Sequence, residues 1–215
     1  PRRDRGDHAA APMSGQPARE TIASGAAERS RAARGRVLAR SFYARPTLAV
    51  LADLIGKVLV HDVRGRRASG IIVEAEAYVG EADPACHAAP GPTRRNRPLY
   101  GPPGHAYVYL NYGMHYLVNA VTEPAGSPAA ILLRALAPLE GIDLMRRRRA
   151  RRRGAAPPAA MHADDLCRGP GNLTVALGID LADNTADLVT SALRIEDSGI
   201  HPPALTAPRR HTPRW

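Results

Sequence analysis

AYVYLNYGMHYLVN, residues 106–119, is the stretch whose reading decides the fold. Tyr107 and Tyr109 alternate with Val108 and Leu110, the period of two expected of a strand with one tyrosine-bearing face and one aliphatic face. Asn111, Tyr112 and Gly113 interrupt that pattern with turn chemistry, because Asn and Gly tolerate positive φ, and a second apolar strand follows. The stretch predicts a β-hairpin with Tyr112 at its tip. Turns of this kind favour small polar residues at the centre, so a large ring there needs an explanation. Two readings are open: an exposed aromatic suited to wedging between stacked bases, or a ring folded back on its own hairpin. Five of the seven tyrosines fall between positions 100 and 116, in a chain with one Trp and one Phe. That crowding marks the segment without choosing between the two.

Outward from the hairpin, residues 71–79 alternate with Ile71, Val73, Ala75, Ala77 and Val79 on one face and Glu74, Glu76 and Tyr78 on the other. Before them, Thr47 reads as the N-cap of a helix through Leu54, Gly56 as its end, 57–62 as a strand and 64–67 as a polar turn. After the hairpin, 128–136 is an apolar strand with one charge, Arg134, in its middle. Residues 138–149 predict a helix, with Glu140 and Asp143 near its start and arginines at its end, as the helix dipole favours. GAAPPAA (154–160) marks a loop, and 164–187 carries a glycine-rich turn and a short helix ending near Gly178. The last segment, IHPPALTAPRRHTPRW (200–215), has no regular period and does not read as a closing core strand.

A chain of 215 residues has room for one domain with a substantial core. Residues 1–40 hold almost no large apolar side chains and are expected to be a disordered basic arm, because they cannot bury enough surface to offset the entropy of ordering. The folded domain is then 41–200, with an irregular end over 201–215. The net charge of +10 is concentrated in the N-terminal stretch and in RRRRARRR (146–153). A polyanionic partner is plausible on that ground, although charge runs are more often solvated. Cys86 and Cys167 stand far apart with no CxxC or Cys/His cluster around them, so neither a zinc site nor an iron-sulfur cluster is expected. No apolar run reaches membrane-spanning length and no signal peptide is evident, which predicts a soluble, cytoplasmic chain. The near-exclusive use of Arg, with Lys57 the one lysine, fits a GC-rich bacterial genome.

Chemistry concentrates in three places. Glu74 and Glu76 lie in a row with Tyr78, so one carboxylate can serve as a general base beside an aromatic, or all three can be a solvated strand face. His87 follows in a Pro- and Gly-rich loop. Arg94, Arg95 and Arg97 around Asn96 suit a phosphate clamp, or a solvated basic loop.

At these residues the chain resembles the alkyladenine, or methylpurine, DNA glycosylases. The resemblance spans roughly 47–177 in ordered blocks: GKVLV (56–60), VEAEAYVG (73–80), DPACH (83–87), RRNRPLYGPPG (94–104), YVYLNYGMHYLVN (107–119), ILLRALAPLEG (131–141) and LCRGPGNL (166–173). It implies an α+β fold: a single mixed domain with a curved, largely antiparallel sheet flanked by helices, and a protruding hairpin that enters the DNA minor groove. By position, Glu76 matches the family's general base, which activates the water attacking C1′ of a flipped nucleotide, and Arg134 an arginine near that water. Tyr78, His87 and Tyr109 match the residues that stack the flipped purine, and Asn119 the pocket-floor residue that disfavours a 2-amino group. Tyr112 matches the intercalating residue, with Gly113 and Met114 beside it on the DNA. Arg95, Asn96 and Arg97 match backbone-contacting positions.

The implied protein is a monofunctional DNA glycosylase of base excision repair. It acts as a monomer on double-stranded DNA containing damaged purines, associated with the nucleoid, and needs no cofactor and no metal. Strand-nicking glycosylases use an amine for a Schiff base, and Lys57 lies outside every matched active-site block. Past position 190 the family continues with a Gly-Pro-Arg-(Val/Ile)-Gly block and a Trp-Arg-Phe ending, whereas this chain has LTAPRRHTPRW (205–215). That departure raises an alternative, a catalytically impaired protein that still binds damaged DNA. A metal-dependent nuclease using Glu74 and Glu76 is the third reading, but no third acidic ligand is evident nearby.

Overall fold

A computed structural model describes residues 35–153 and 161–200. The expected loop 154–160, most of the expected arm and the atypical end over 201–215 lie outside the described residues. Seven strands form one open sheet in the order β1-β7-β2-β3-β6-β5-β4, every neighbouring pair antiparallel. The strands are β1 (Arg36–Val37), β2 (Val58–Val63), β3 (Arg66–Val79), β4 (Ala106–Asn111), β5 (His115–Val121), β6 (Ala129–Glu140) and β7 (Leu193–Asp197). Among the described residues four α-helices accompany them: α1 (Arg40–Tyr43), α2 (Thr47–Leu54), α3 (Ile142–Arg153) and α4 (Pro170–Leu177). The fold is α+β. Among the described residues no helix is long and apolar enough to cross a membrane.

The sheet separates two apolar clusters. The larger packs Leu54 of α2, Met145 of α3 and Leu173 and Leu177 of α4 against Leu59, Ile72, Val108, Ile131 and Leu133 of the strands. Each such side chain contributes about 1.5–3 kcal/mol on burial. The smaller holds Tyr107, Val121 and Ala130 under Cys86, Ala88 and Leu99 of the 80–104 segment. Both cysteines are buried free thiols. The hairpin serves both clusters because its strands alternate, Val108 facing the first and Tyr107 the second.

Several local expectations are corrected. Helix α2 starts at Thr47 itself, after Pro46, and no side chain of the preceding residue caps it. The carboxylate of Glu123 accepts from the Thr47 amide at 2.7 Å and from its hydroxyl at 2.8 Å, a negative charge from a distant segment placed where the helix dipole wants one. The turn between β2 and β3 is narrower than 64–67, since Arg66 and Arg67 already pair with Val63 and Asp62. Alternation across 71–79 breaks, because the β3–β6 register steps over Val73 on one strand and Arg134 on the other. Ile72 is fully buried and Val73 is 51% exposed, so the expected Ile71/Val73/Ala75 face does not exist. Bulges re-aim side chains in this way and recur beside functional sites.

The helix expected over 138–149 is displaced. Residues 138–140 finish β6, and the helix runs Ile142–Arg153. Gly141, at φ 74°, makes the switch, and a Cβ there would lie 2.5 Å from the carbonyl oxygen of Arg67. Strands β1 and β7 were not legible as strands. They pair with each other, and β7 pairs in turn with β2, so Arg36 and Val37, assigned to the arm, belong to the sheet.

Arg67 ties three strands together. Its guanidinium donates to both oxygens of Glu196 on β7 at 3.1 and 2.8 Å, and its Nε to Glu140 on β6. Glu196 is 3% exposed. Burial pushes its carboxyl up, but hydrogen bonds and charge from Arg67 and Arg194 outweigh it and hold the group below the ordinary glutamate range. A depressed carboxylate contributes stability above its unfolded pKa and loses it as pH falls through the folded one. Glu196→Gln is expected to destabilise by about 3 kcal/mol at neutral pH. The deficit should close as pH drops below about 4, as denaturant unfolding of both proteins across pH would read. A deficit that stays constant with pH would show that the pair carries no pH-dependent stability.

Candidate active site

Register, more than sequence proximity, assembles the site. Glu76 on β3 pairs with Leu132 on β6, Leu132 with Asn119 on β5, and Asn119 with Tyr107 on β4. Directly paired residues project to the same side of a sheet, so one row across four strands carries a carboxylate at one end and a phenol at the other. The next row holds Tyr78, Ala130 and Val121, the floor of the smaller apolar cluster. Asn119 is 4% exposed and donates from Nδ2 to the Tyr107 carbonyl at 3.0 Å.

At the carboxylate end, Arg134 donates from Nε to Glu74 Oε1 at 2.9 Å and from Nη1 to Glu76 Oε2 at 2.7 Å. The side chain of Glu76 is 16% exposed and that of Glu74 57%. Burial lowers the Arg134 pKa, but both carboxylates pull it back above its usual value. The double bulge that skips Val73 and Arg134 lets one guanidinium reach two carboxylates of the neighbouring strand. Glu76 is thus held by a fixed cation, with 16% of its side chain exposed.

At the aromatic end, the His87 loop folds over the tyrosines. His87 lies 4.5 Å from the Tyr109 ring centroid at an interplanar angle of 64°, and Tyr107 and Tyr109 are 5.2 Å apart. His87 Nδ1 is 2.9 Å from the Tyr107 hydroxyl. Burial, then the charge of Arg95, lowers the imidazole pKa, so the ring is neutral at pH 7. Burial also pushes the Tyr107 phenol up to about 12, against the opposing pull of Arg95, so it keeps its proton. With donor-only Arg95 facing the phenol oxygen, we assign the Tyr107 proton to Nδ1, which leaves the imidazole proton on Nε2. Tyr109 is likewise raised to about 12 by burial and by Tyr107, and Arg95 lies over its ring at 5.6 Å.

The loop owes its shape to Asn96, and here an expectation is corrected. Asn96 is 2% exposed. Its Nδ2 donates to the carbonyls of His87 and Gly91 at 2.7 and 2.8 Å, and its Oδ1 accepts from the Thr93 amide at 2.6 Å. An amide so committed organises the loop and has nothing left for a phosphate. Arg94, Arg95 and Arg97 beside it are exposed.

At the hairpin tip, Tyr112 has φ 48° and Gly113 φ 66°, and the Met114 amide donates to the Asn111 carbonyl at 3.0 Å. Positive φ at both central residues is the primed turn that matches strand twist. Tyr112 is 76% exposed and Met114 57%, so the ring does not fold back onto its hairpin. A non-glycine residue in that region is strained, and nothing in its packing offsets the strain.

Tyr107 and Leu132 were not singled out from the sequence, although the shared face of Tyr107 and Tyr109 was a usable signal. Lys57 is remote from this row in its bonding: its ammonium pairs with Asp197 at 2.9 Å. It lines a cleft of about 570 Å³ with Arg36, Leu38 and Phe42 at the other end of the sheet. Among the described residues no group of three His, Cys, Asp or Glu could hold a metal ion.

The sequence profile of the methylpurine-DNA glycosylase family matches residues 41–214, and so extends across the terminal segment whose pattern departs from expectation. A Methanocella arvoryzae protein is 47% identical over 80% of this chain and 83% of its own length. One from Chlorobaculum tepidum is 44% identical over 80% and 79%, and one from Rubrobacter xylanophilus 54% identical over 63% and 65%. All three carry the provisional name 3-methyladenine DNA glycosylase. With this match over most of its length, the chain belongs to the methylpurine-DNA glycosylase family and is a DNA glycosylase, a hydrolase of N-glycosyl bonds.

Proposed function

We propose that the protein is a monofunctional glycosylase of base excision repair that flips alkylated or deaminated purines out of duplex DNA and leaves an abasic site. The observation that carries this reading is the single row Glu76–Leu132–Asn119–Tyr107, which joins a guanidinium-held carboxylate to an aromatic slot beside an exposed hairpin tip. A base inside a duplex cannot reach such a recess, so the nucleotide must be extruded. Tyr112 fills the gap in the stack, with Gly113 and Met114 against the minor groove and Arg95 and Arg97 on phosphates.

In the recess, Tyr78, His87 and Tyr109 stack the purine, and Asn119 with its row forms the floor. The C1′–N9 bond breaks with oxocarbenium character, which the Glu76 carboxylate stabilises electrostatically. Water forms the new C1′–O bond and loses its proton to Glu76. Arg134 holds that carboxylate in place. A purine alkylated at N3 or N7 departs as a neutral molecule, whereas hypoxanthine departs as an anion that takes its proton from water; the neutral His87 ring offers its Nε2–H as a hydrogen bond to the base, not as a proton. Lys57, committed to Asp197, is not placed for a Schiff base.

The test is single-turnover excision from an end-labelled duplex bearing one ethenoadenine or hypoxanthine, or methylated sites, with an undamaged duplex as control. The expected result is cleavage at the lesion only after alkali. Cleavage without alkali would replace the monofunctional reading with a lyase. Lesion-specific binding without excision would favour a damaged-DNA binding protein.

A further inference from the structure

The arginine run 146–153 is the one sequence motif that the reading above leaves unused, and the fold divides it. Arg148 donates to the Ala176 carbonyl in the last turn of α4 at 3.0 Å, and Arg149, 3% exposed, donates to the carbonyls of Asp165 and Leu166. Arg146 bonds Asp143 and the Met161 carbonyl. These three are structural pins. Arg147, Arg151 and Arg152 are exposed.

Arg152 is the informative one. Its guanidinium donates to the carbonyl of Met114, at the hairpin tip. On the other flank, Arg95 donates to the carbonyl of Leu110 at 3.4 Å. Leu110 and Met114 stand two residues before and two after Tyr112. The two arginines come from opposite sides of the sheet: Arg95 over the Tyr109 face, and α3 from the face where Met145 packs in the larger core. Each guanidinium has five donors, and the hairpin contact occupies only part of this set. A basic group that touches the backbone of the exposed tip is also within reach of whatever backbone the tip enters.

Resting on the glycosylase reading, we propose that Arg152 is a DNA-contacting and positioning residue. With Arg95 it straddles Tyr112, braces the tip through the Met114 carbonyl and engages a phosphate on the α3 side of the extruded nucleotide, with Arg151 beside it on the same exposed helix end. The partner is duplex DNA through its phosphates, without base discrimination.

The experiment measures affinity for a duplex with one ethenoadenine as a function of salt, for wild type, Arg152→Ala, Arg152→Lys and Arg147→Ala in the full chain. Losing one phosphate contact lowers the slope of log K against log salt by about 0.9. Arg152→Ala is expected to show that decrease, with weaker binding at low salt and an unchanged melting temperature. Arg152→Lys should keep the slope but excise more slowly, because an ammonium replaces the charge without the fork that spans carbonyl and phosphate. Arg147→Ala, exposed at a more N-terminal position on the same helix, should behave as wild type. An Arg152→Ala slope equal to wild type, with wild-type lesion binding intact, would overturn the proposal alone. Failure of wild type to prefer the lesion would overturn the glycosylase reading beneath it.

Discussion

Glu76→Gln is expected to reduce single-turnover excision by roughly 10²- to 10⁴-fold, the range that a positioned general base contributes, while lesion-duplex affinity stays near wild type. The substitution keeps an oxygen where Arg134 Nη1 now donates at 2.7 Å, and Glu74 still accepts from Arg134 Nε at 2.9 Å. The local structure should therefore persist, and thermal unfolding should report a small change. Glu74→Gln is the matched comparison. The Glu74 side chain is 57% exposed against 16% for Glu76, so its charge is more screened by water and its loss should slow excision far less. An excision rate within tenfold of wild type in Glu76→Gln would place the base elsewhere. Equal losses in both variants would mean that the pair acts through its joint charge on Arg134 rather than through one base.

The second large effect separates stability from function at one residue. Tyr112 holds a left-handed backbone at φ 48° while 76% exposed, a conformation that costs a bulky residue about 1 kcal/mol or more and that Asn adopts readily. Tyr112→Asn creates the Asn-Gly pair that this turn prefers, so the free protein should be more stable by about 1 kcal/mol. Stacking of an aromatic on a base is worth ~1–3 kcal/mol, so lesion binding should weaken roughly 10- to 100-fold. The two measurements move in opposite directions, which a ring packed on its own hairpin would not produce. A lower melting temperature together with unchanged lesion binding would return Tyr112 to a structural role.

By itself the sequence determined whatever local pattern controls: the 106–119 hairpin and its turn, the short helix stopped at Gly178, the central strands containing Glu76 and Arg134, and the ordered motifs that mark the family. It misjudged features set by distant partners. Glu140 is read as a helix N-terminal acid because of its neighbours, but Arg67, 73 residues away, holds it at a strand end. Leu193–Asp197 lacks a long apolar run, yet it becomes a strand because β1 and β2 supply its ladder. Asn96, in a basic loop, suggests a phosphate ligand, whereas burial turns its amide inward on His87 and Gly91. The RRRRARRR run reads as one block of charge, and only packing against α4 and the 165–166 carbonyls separates its pins from its exposed arginines. The row that puts Glu76 in line with Tyr107 was likewise decided by tertiary structure, because register across four strands depends on bulges and pairings that no local window contains.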